Sequence, residues 1–445
     1  VNRYNTITRE ILSDTETPIS LYYKLCLGRE HSFLLESAEQ DGEMGRYSFI
    51  GFDPIEVLEF DENEDPLKLI KEKMESYEVE EEVREGLMAG FVGYFSYEVI
   101  HHVEDIPKSE KKAGMDIPEG IFFLPRVVIC FDHLKHVAKL HYLVGEGEKE
   151  DGMNEILAQI QAPLQIPFIE PSEGVTDYEL EPGRDEFIEQ VKKCKRYIEE
   201  GEVFQIVVSH SIVAKTKRSS FELYRGLRHA NPSPYMYFLQ FEGFAVVGAS
   251  PETLVRVESG EVLVRPIAGT RPRGKNEEED QRLEAELKVD PKELAEHMML
   301  VDLGRNDVGR VAEVGTVIVP AEKYIQRFSS VMHMISDVTG NLREGKDMFD
   351  VFRACFPAGT LSGAPKIRAA ELISGLEKRQ RGIYGGAVGY FDFSGNMDFA
   401  IAIRTMVCKE NKAYIQAGAG IVYDSVPERE HEECLHKAKS CLSVL

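Results

Sequence analysis

The sequence predicts an α+β protein built on large mixed or antiparallel sheets with helices packed outside them. Three observations carry this reading. Segments rich in β-branched and aromatic residues recur along the chain, joined by Gly or Asp turns. Helical periodicities interrupt them, but not in the regular β-α alternation of a parallel sheet. The chain has 445 residues with no short-period repeat and no low-complexity tract, enough for a large core and one to three domains.

The elements follow in order. In residues 1–150 the alternating stretches SFIGFDPIEVLEF and GIFFLPRVVICF read as strands, and DPLKLIKEKMESYEVEEEVRE reads as one amphipathic helix with an acidic outer face. Residues 160–183 carry four prolines and two glycines, the best candidate linker. The boundaries expected are therefore an N-terminal region 1–160, a linker 161–182 and a second region 183–445. RDEFIEQVKKCKRYIEEGE then reads as a helix and VFQIVVSHSIVAK as a strand. Further strands are expected in YMYFLQFEGFAVVGAS, TLVRVESGEVLVRPIAG, GIYGGAVGYFDF, DFAIAIRTMVCK and KAYIQAGAGIVYD, with longer helices near 291–303, 365–378 and 427–443.

Composition narrows the function classes. The formal charge is −25, from 52 basic and 77 acidic residues, so nucleic acid is an unfavoured partner. An anionic substrate would need a local positive site: a metal ion, a few Arg or Lys, or a helix N-terminus. No run approaches the ~20 apolar residues of a membrane span. The opening residues lack a basic, apolar leader pattern. The seven cysteines are scattered and never form CxxC, which favours reduced thiols and a cytoplasmic chain. There is no tryptophan.

FPAGTLSGAPK (356–366) is a small, hydroxylated loop feeding a helix. One reading is an anion cradle of backbone N–H groups. The other is a plain helix start, with Gly363 turning the chain and Pro365 at the first helical position. It is not a P-loop, because Ala364 stands where the second glycine belongs and Ile367 follows Lys366.

Two helices open with acids. Asp290 is a credible N-cap, Pro291 fits the first turn, and Glu293 sits at the capping-box position, with Glu296 three residues on. Ser425 and Glu428 suggest a second capping box, followed by Glu430 and Glu433 at the same spacing. If the helices meet, the four carboxylates form a hard oxygen site suited to Mg²⁺. If they do not, they are surface acids. Zinc is disfavoured, since His431 and His436 are five apart and do not share a helical face.

PIAGTRPRG (266–274), ELAEHMMLVDLGRNDVGRV (293–311), VMHMISDVTG (331–340), FPAGTLSGAPK, GIYGGAVGY (382–390) and AGAGIVYDSVPEREHEE (417–433) together resemble the chorismate-utilising enzymes, over roughly 183–445. FLLESAEQDGEMGRYSFIG (33–51) resembles the anthranilate synthase branch of that family. The resemblance implies a sandwich of sheets with helices outside, chorismate as the anion, and Mg²⁺ held by Glu293, Glu296, Glu430 and Glu433. It implies that Tyr384 and Arg404 hold a substrate carboxylate, with Thr270, Gly418, Gly420, Gly363 and Lys366 completing the substrate site beside Thr360. Glu252, in GASPETL, would be the general acid, which needs a raised pKa. His333 would transfer a proton, although a histidine between apolar residues is often only core.

Two positions separate branches of the family. Where water-using members carry a Lys base, this chain has Gln205, a neutral amide, which speaks for ammonia. Where the aminodeoxychorismate branch carries a nucleophilic Lys, this chain has Ala268. The implied reaction is anthranilate formation with loss of pyruvate. Leu34, Glu36, Ser37, Pro234, Tyr235 and Met236 would form a feedback site for L-tryptophan, and the missing tryptophan then reads as thrift. No Cys sits in a G-x-C-x-G turn, so ammonia is expected from a separate glutamine amidotransferase subunit. The remaining alternatives are an aminodeoxychorismate synthase and a tryptophan-binding regulator without catalysis.

Overall fold

The computed structural model describes residues 2–37, 44–80, 86–108, 114–148, 152–170, 172–328 and 331–445. Parts of two stretches singled out above, 38–43 and 81–85, lie outside the described residues.

Strands hydrogen-bond into two broad arrays that share one strand. The first runs Tyr77–Glu80, Asn2–Leu12, Val137–Gly145, Gly120–Asp132, Tyr47–Phe60, Ser32–Glu36, Tyr235–Phe241, Phe244–Ser250, Thr405–Lys409, Lys412–Ile421 and Gln205–Lys215. The second runs Gly90–Phe95, Ala387–Asp392, Met397–Ile401, Thr253–Glu258, Glu261–Val264 and Val331–Asn341, and Val331–Asn341 also pairs Ile267–Pro272 and Ile318–Arg327. Gly120–Asp132 joins them, because Gly120–Phe123 pairs Gly90–Phe95 on one edge and Tyr47–Phe60 on the other. Among the described residues every pairing is antiparallel except Asn2–Asn5 beside Tyr77–Glu80.

Side-chain alternation builds three apolar layers. Ile121 and Phe123 face inward with Tyr94, Tyr237, Leu239, Val246, Val388 and Val407, filling the space between the sheets. Phe122 and Leu124, one residue out of phase, face the other way onto the helices Pro66–Glu75, Pro291–Gly309 and Met348–Cys355. On the far side of the first array lie the helices Pro18–Leu25, Gly152–Gln161, Ser220–Ala230 and Pro427–Leu442. GIFFLPRVVICF therefore reads as a near-continuous apolar run because both of its faces are covered. Each fully buried Phe or Leu side chain contributes about 1.5–3 kcal/mol.

The strands of residues 2–145 belong to the same sheets as those of 205–421: Ser32–Glu36 pairs Tyr235–Phe241, and Gly90–Phe95 pairs Ala387–Asp392. Among the described residues between Gln161 and Glu179 there is no regular element, and this stretch lies against the body through Ser172 Oγ donating to the Leu445 carbonyl at 2.7 Å.

Several local expectations need correction. The acidic run from 65 is not one helix: it stops at Glu75, and Tyr77–Glu80 becomes a strand. Tyr77 is buried against Tyr4 and Phe91, so tertiary contact outweighs helical periodicity there. Asp290 does cap its helix, accepting from Lys292 N and Glu293 N, but Glu293 makes no capping box and pairs with Arg271 at 3.1 Å instead. The last helix starts at Pro427 with Val426 as N-cap, so Ser425 and Glu428 form no box either. Ser425 Oγ instead accepts from Val422 N at 3.1 Å. The charged segment 274–290 is helical over Glu277–Val289. No described helix is long and apolar enough to cross a membrane. All seven cysteines are free thiols, six of them buried.

Candidate functional site

The site lies where the chain crosses between the two arrays. Phe244–Ser250 belongs to the first and Thr253–Glu258 to the second, and Pro251 and Glu252 bridge them. Met397–Ile401 and Thr405–Lys409 make the reverse crossing through Ala402–Arg404. The crossings are tied together: Ser250 Oγ donates to the Ile401 carbonyl at 2.6 Å, and Ile401 N donates to the Glu252 carbonyl at 3.0 Å.

Glu252 is held by Thr360, whose Oγ1 donates to its Oε1 at 2.8 Å. Burial pushes the Glu252 carboxyl up to about 7, against the opposing pull of Thr360, Lys437 and Arg404. Such a group gives up a proton readily near neutrality. Arg404 adopts a left-handed backbone, φ 50°, uncommon for a side-chain-bearing residue and most often retained at functional turns. Burial disfavours its charge, and Tyr384, Glu252 and Glu433 stand near it. No hydrogen-bond acceptor meets its guanidinium among the described residues. A guanidinium so placed is matched to a carboxylate, which it can bind through two parallel hydrogen bonds.

Gly418 and Gly420 lie on Lys412–Ile421, paired with Gln205–Lys215. A Cβ on Gly418 would stand 2.3 Å from Tyr384 Oη, and one on Gly420 would stand 2.5 Å from Gln205 Nε2. Both glycines are there to admit the neighbouring polar group. Gln205 is buried, and its Oε1 has no hydrogen-bond partner among the described residues. A buried acceptor left open in this way is costly, by about 1–3 kcal/mol, unless a ligand completes it.

Thr270 and His333 sit opposite each other in the second array, with Thr270 Oγ1 3.0 Å from His333 Nδ1. Burial lowers the His333 pKa to about 4, so the ring is neutral near pH 7 and able to accept a proton.

Glu296, on one acidic helix, feels the charge of Glu433 on the other. Burial raises the Glu296 pKa first, then the charges of Glu293 and Glu433; burial and Glu433 also raise that of Glu430. Glu293 is paired with Arg271, and Glu433 with Lys437 at 2.7 Å. Among the described residues no three carboxylates, thiols or imidazoles converge on one metal position. The donor set is nonetheless all oxygen and mutually repelling, which is the chemistry that favours a hard divalent cation.

Two expected substrate groups serve the fold instead. Lys366 is buried, its Nζ held by Asp307 at 2.7 Å and the Cys355 carbonyl at 3.2 Å, so it is no free cation for an anion. Gly363, φ 145°, pairs with Ile206, and a Cβ there would lie 2.1 Å from the Gln205 carbonyl. The loop 356–366 is therefore a close-packed turn carrying Thr360, rather than an open cradle of N–H groups. Lys437 belongs to none of the motifs named from the sequence. It reaches Glu433 and the Gly418 carbonyl, at 3.0 Å, and its only signal was the i, i+4 spacing after Glu433.

A cavity of about 350 Å³ opens elsewhere along the seam. Glu36, Ser37, Pro234, Tyr235 and Met236 line it, with Arg256, Tyr390 and Asp398. Leu34 does not: it is fully buried in the apolar layer under the helices, and Leu35 takes the place expected of it in the cavity wall. Glu36 accepts from Tyr224 Oη at 2.5 Å and from Arg228 at 2.9 and 3.1 Å.

The chain matches the family of chorismate binding enzymes over residues 30–443. Anthranilate synthase component 1 of Acetivibrio thermocellus is 44% identical, the match covering 99% of this chain and 96% of that protein. Its counterpart in Thermus thermophilus is 40% identical over 100% and 98%. The crystal structure of anthranilate synthase component I from Streptococcus pneumoniae superposes with TM-score 0.83 at 35% identity, covering 97% of this chain and 99% of that one. The menaquinone-specific isochorismate synthase of Escherichia coli, at 18% identity and TM-score 0.78 over 100% and 95%, shares the fold.

Proposed function

This chain belongs to the chorismate-binding enzymes, within them to the anthranilate synthase component 1 family, and on that premise we propose that it converts chorismate and ammonia to anthranilate and pyruvate. The observation that carries the reading is the Arg404 guanidinium, half-buried and with no hydrogen-bond acceptor among the described residues, beside the Glu252 carboxyl, which burial pushes up to about 7. A dianionic substrate supplies what Arg404 lacks, and Glu252 supplies the proton that a departing hydroxyl needs.

Arg404 and Tyr384 orient a carboxylate of the substrate over Gly418. Ammonia adds at ring C2 while the C4 hydroxyl leaves with the Glu252 proton; Thr360 holds that carboxyl in place. Gln205 Oε1, an open acceptor, receives an N–H of the incoming ammonia and has no basicity with which to activate water. Neutral His333 then takes the C2 proton as pyruvate is eliminated and the ring becomes aromatic. Ala268, in the strand Ile267–Pro272, offers no competing amine. Glu296 and Glu433, with Glu293 and Glu430 around them, would hold Mg²⁺, which when bound neutralises the substrate carboxylate nearest these helices.

The cavity lined by Glu36, Ser37, Tyr235 and Met236 is the place for feedback inhibition by L-tryptophan: apolar walls for an indole and charged ends for an amino-acid head group. Ammonia comes from the glutaminase of a separate subunit. The test is to incubate the chain with chorismate, Mg²⁺ and concentrated ammonium and follow anthranilate fluorescence and pyruvate. Anthranilate that disappears with EDTA and falls with added tryptophan supports each part. Isochorismate or aminodeoxychorismate as product would overturn the reaction assigned.

A further inference from the structure

Among the described residues, Arg381 heads the largest fully buried side chains, and no step above uses it. Its Nε and Nη2 donate to Glu377 at 2.7 and 3.0 Å. Its Nη1 donates to the Leu361 carbonyl at 2.6 Å, and Nη2 also donates to the Val207 carbonyl at 3.0 Å. The guanidinium lies 4.6 Å from the Tyr97 ring centre and 5.5 Å from that of Tyr384. Its backbone is anchored too, since Arg381 N and Gly382 N donate to Glu98 at 2.7 and 3.0 Å.

An ion pair this deep contributes little net stability, because desolvation of both charges offsets their attraction. What it does contribute is geometry. A planar fork with fixed donor directions reaches segments that are distant in sequence. Leu361 follows Thr360, the partner of Glu252. Val207 lies two residues beyond Gln205 on the same strand. Tyr384 is the group over Gly418. One guanidinium thus touches the supports of the proton donor, the ammonia acceptor and the carboxylate clamp.

We propose that Arg381 is a positioning residue that sets Thr360, Tyr384 and the Gln205 strand in mutual register, an inference that rests on the reaction proposed above. Lys at this position keeps the charge but not the fork, and a misplacement of the order of 1 Å costs about 100-fold in rate.

The experiment is a set of pH–rate profiles, expressed per free NH₃, for wild type, R381K, T360V and the double variant. Glu252 is faced by Thr360, Lys437 and Arg404. Removing the Thr360 hydrogen bond destabilises the carboxylate, so T360V moves the basic limb to higher pH. R381K is expected to lower kcat about 10- to 100-fold, to raise KM less, and to move the limb in the same direction. The double variant moves it no further than T360V alone, because both act through one contact. An R381K profile with the wild-type limb, or additive shifts, would overturn the proposal. Should R381K fail to fold, R381Q/E377Q keeps the pocket neutral and carries the same expectation; loss of fold in both makes Arg381 a folding residue and also overturns it. If wild type makes no anthranilate, the functional reading alone falls. Titration of the Glu252 carboxyl by ¹³C NMR in wild type and R381K then decides this proposal.

Discussion

Two cations, the half-buried Arg404 and the buried Lys366, come from motifs that looked alike as anion binders, and the structure treats them oppositely. Lys366 is closed off by Asp307 and the Cys355 carbonyl. Arg404 meets no acceptor among the described residues and is held in a left-handed turn. A lysine after a glycine-rich loop is thus no guide to where an anion sits. What marks the site is a charge left uncompensated by the protein, since the ligand must complete it. The cavity beside Glu36 falls between the two: Glu36 already has Arg228 and Tyr224, while the space next to it is open.

Four variants break or sharpen this contrast. The largest effect is expected at the proton donor. E252Q should lower kcat by about 10²–10⁴-fold and abolish the basic limb of the rate profile. The sign follows from the role. Glu252, at about 7, must be protonated to act, so rate falls as pH rises through that value; His333, at about 4, must be neutral, so rate falls below it. A pH profile of E252Q that retains the limb near 7 would remove Glu252 from the mechanism.

Next comes the closed cation. K366M leaves Asp307 buried and unpaired, which should destabilise the fold by about 3–5 kcal/mol, read as a lowered denaturation midpoint. If instead it raised KM for chorismate with stability intact, Lys366 would be a substrate ligand after all. The open cation behaves in the reverse way. R404K keeps the charge but loses the bidentate fork, for a loss of about 10- to 100-fold in kcat/KM, the value of a charge-assisted hydrogen bond of about 1.5–3 kcal/mol, with little change in melting temperature. Equal thermal losses in K366M and R404K would erase the distinction. The smallest effect is expected at the cavity: E36Q should weaken tryptophan inhibition about tenfold, roughly one hydrogen bond's worth, with kcat falling far less. Unchanged inhibition would move the tryptophan site away from Glu36.

Much of the fold is legible in the sequence because strands and helices have local periods. The β-branched and aromatic run in 120–131, the amphipathic period of 184–199 and the Asp290–Pro291 cap are each set by neighbours within a turn or two. Motif order likewise singles out Glu252, Arg404, Tyr384 and His333 as residues of one family site. The capping boxes at Glu293 and Ser425 were misread for the same reason that Lys366 was. A local pattern names possible partners, while a competing partner far along the chain, Arg271 in one case and Asp307 in another, decides which bond forms. Leu34 and Leu35 differ by one step of alternation, and only the pairing with Tyr235–Phe241 says which faces the cavity.

The sequence by itself determined the residue types, the local elements and the family. The tertiary structure alone decided which charges are paired, because pairing depends on what the sheet crossings bring together from residues as far apart as Glu252, Thr360 and Arg404. Burial then sets their protonation, and no linear pattern encodes burial at a seam between two sheets.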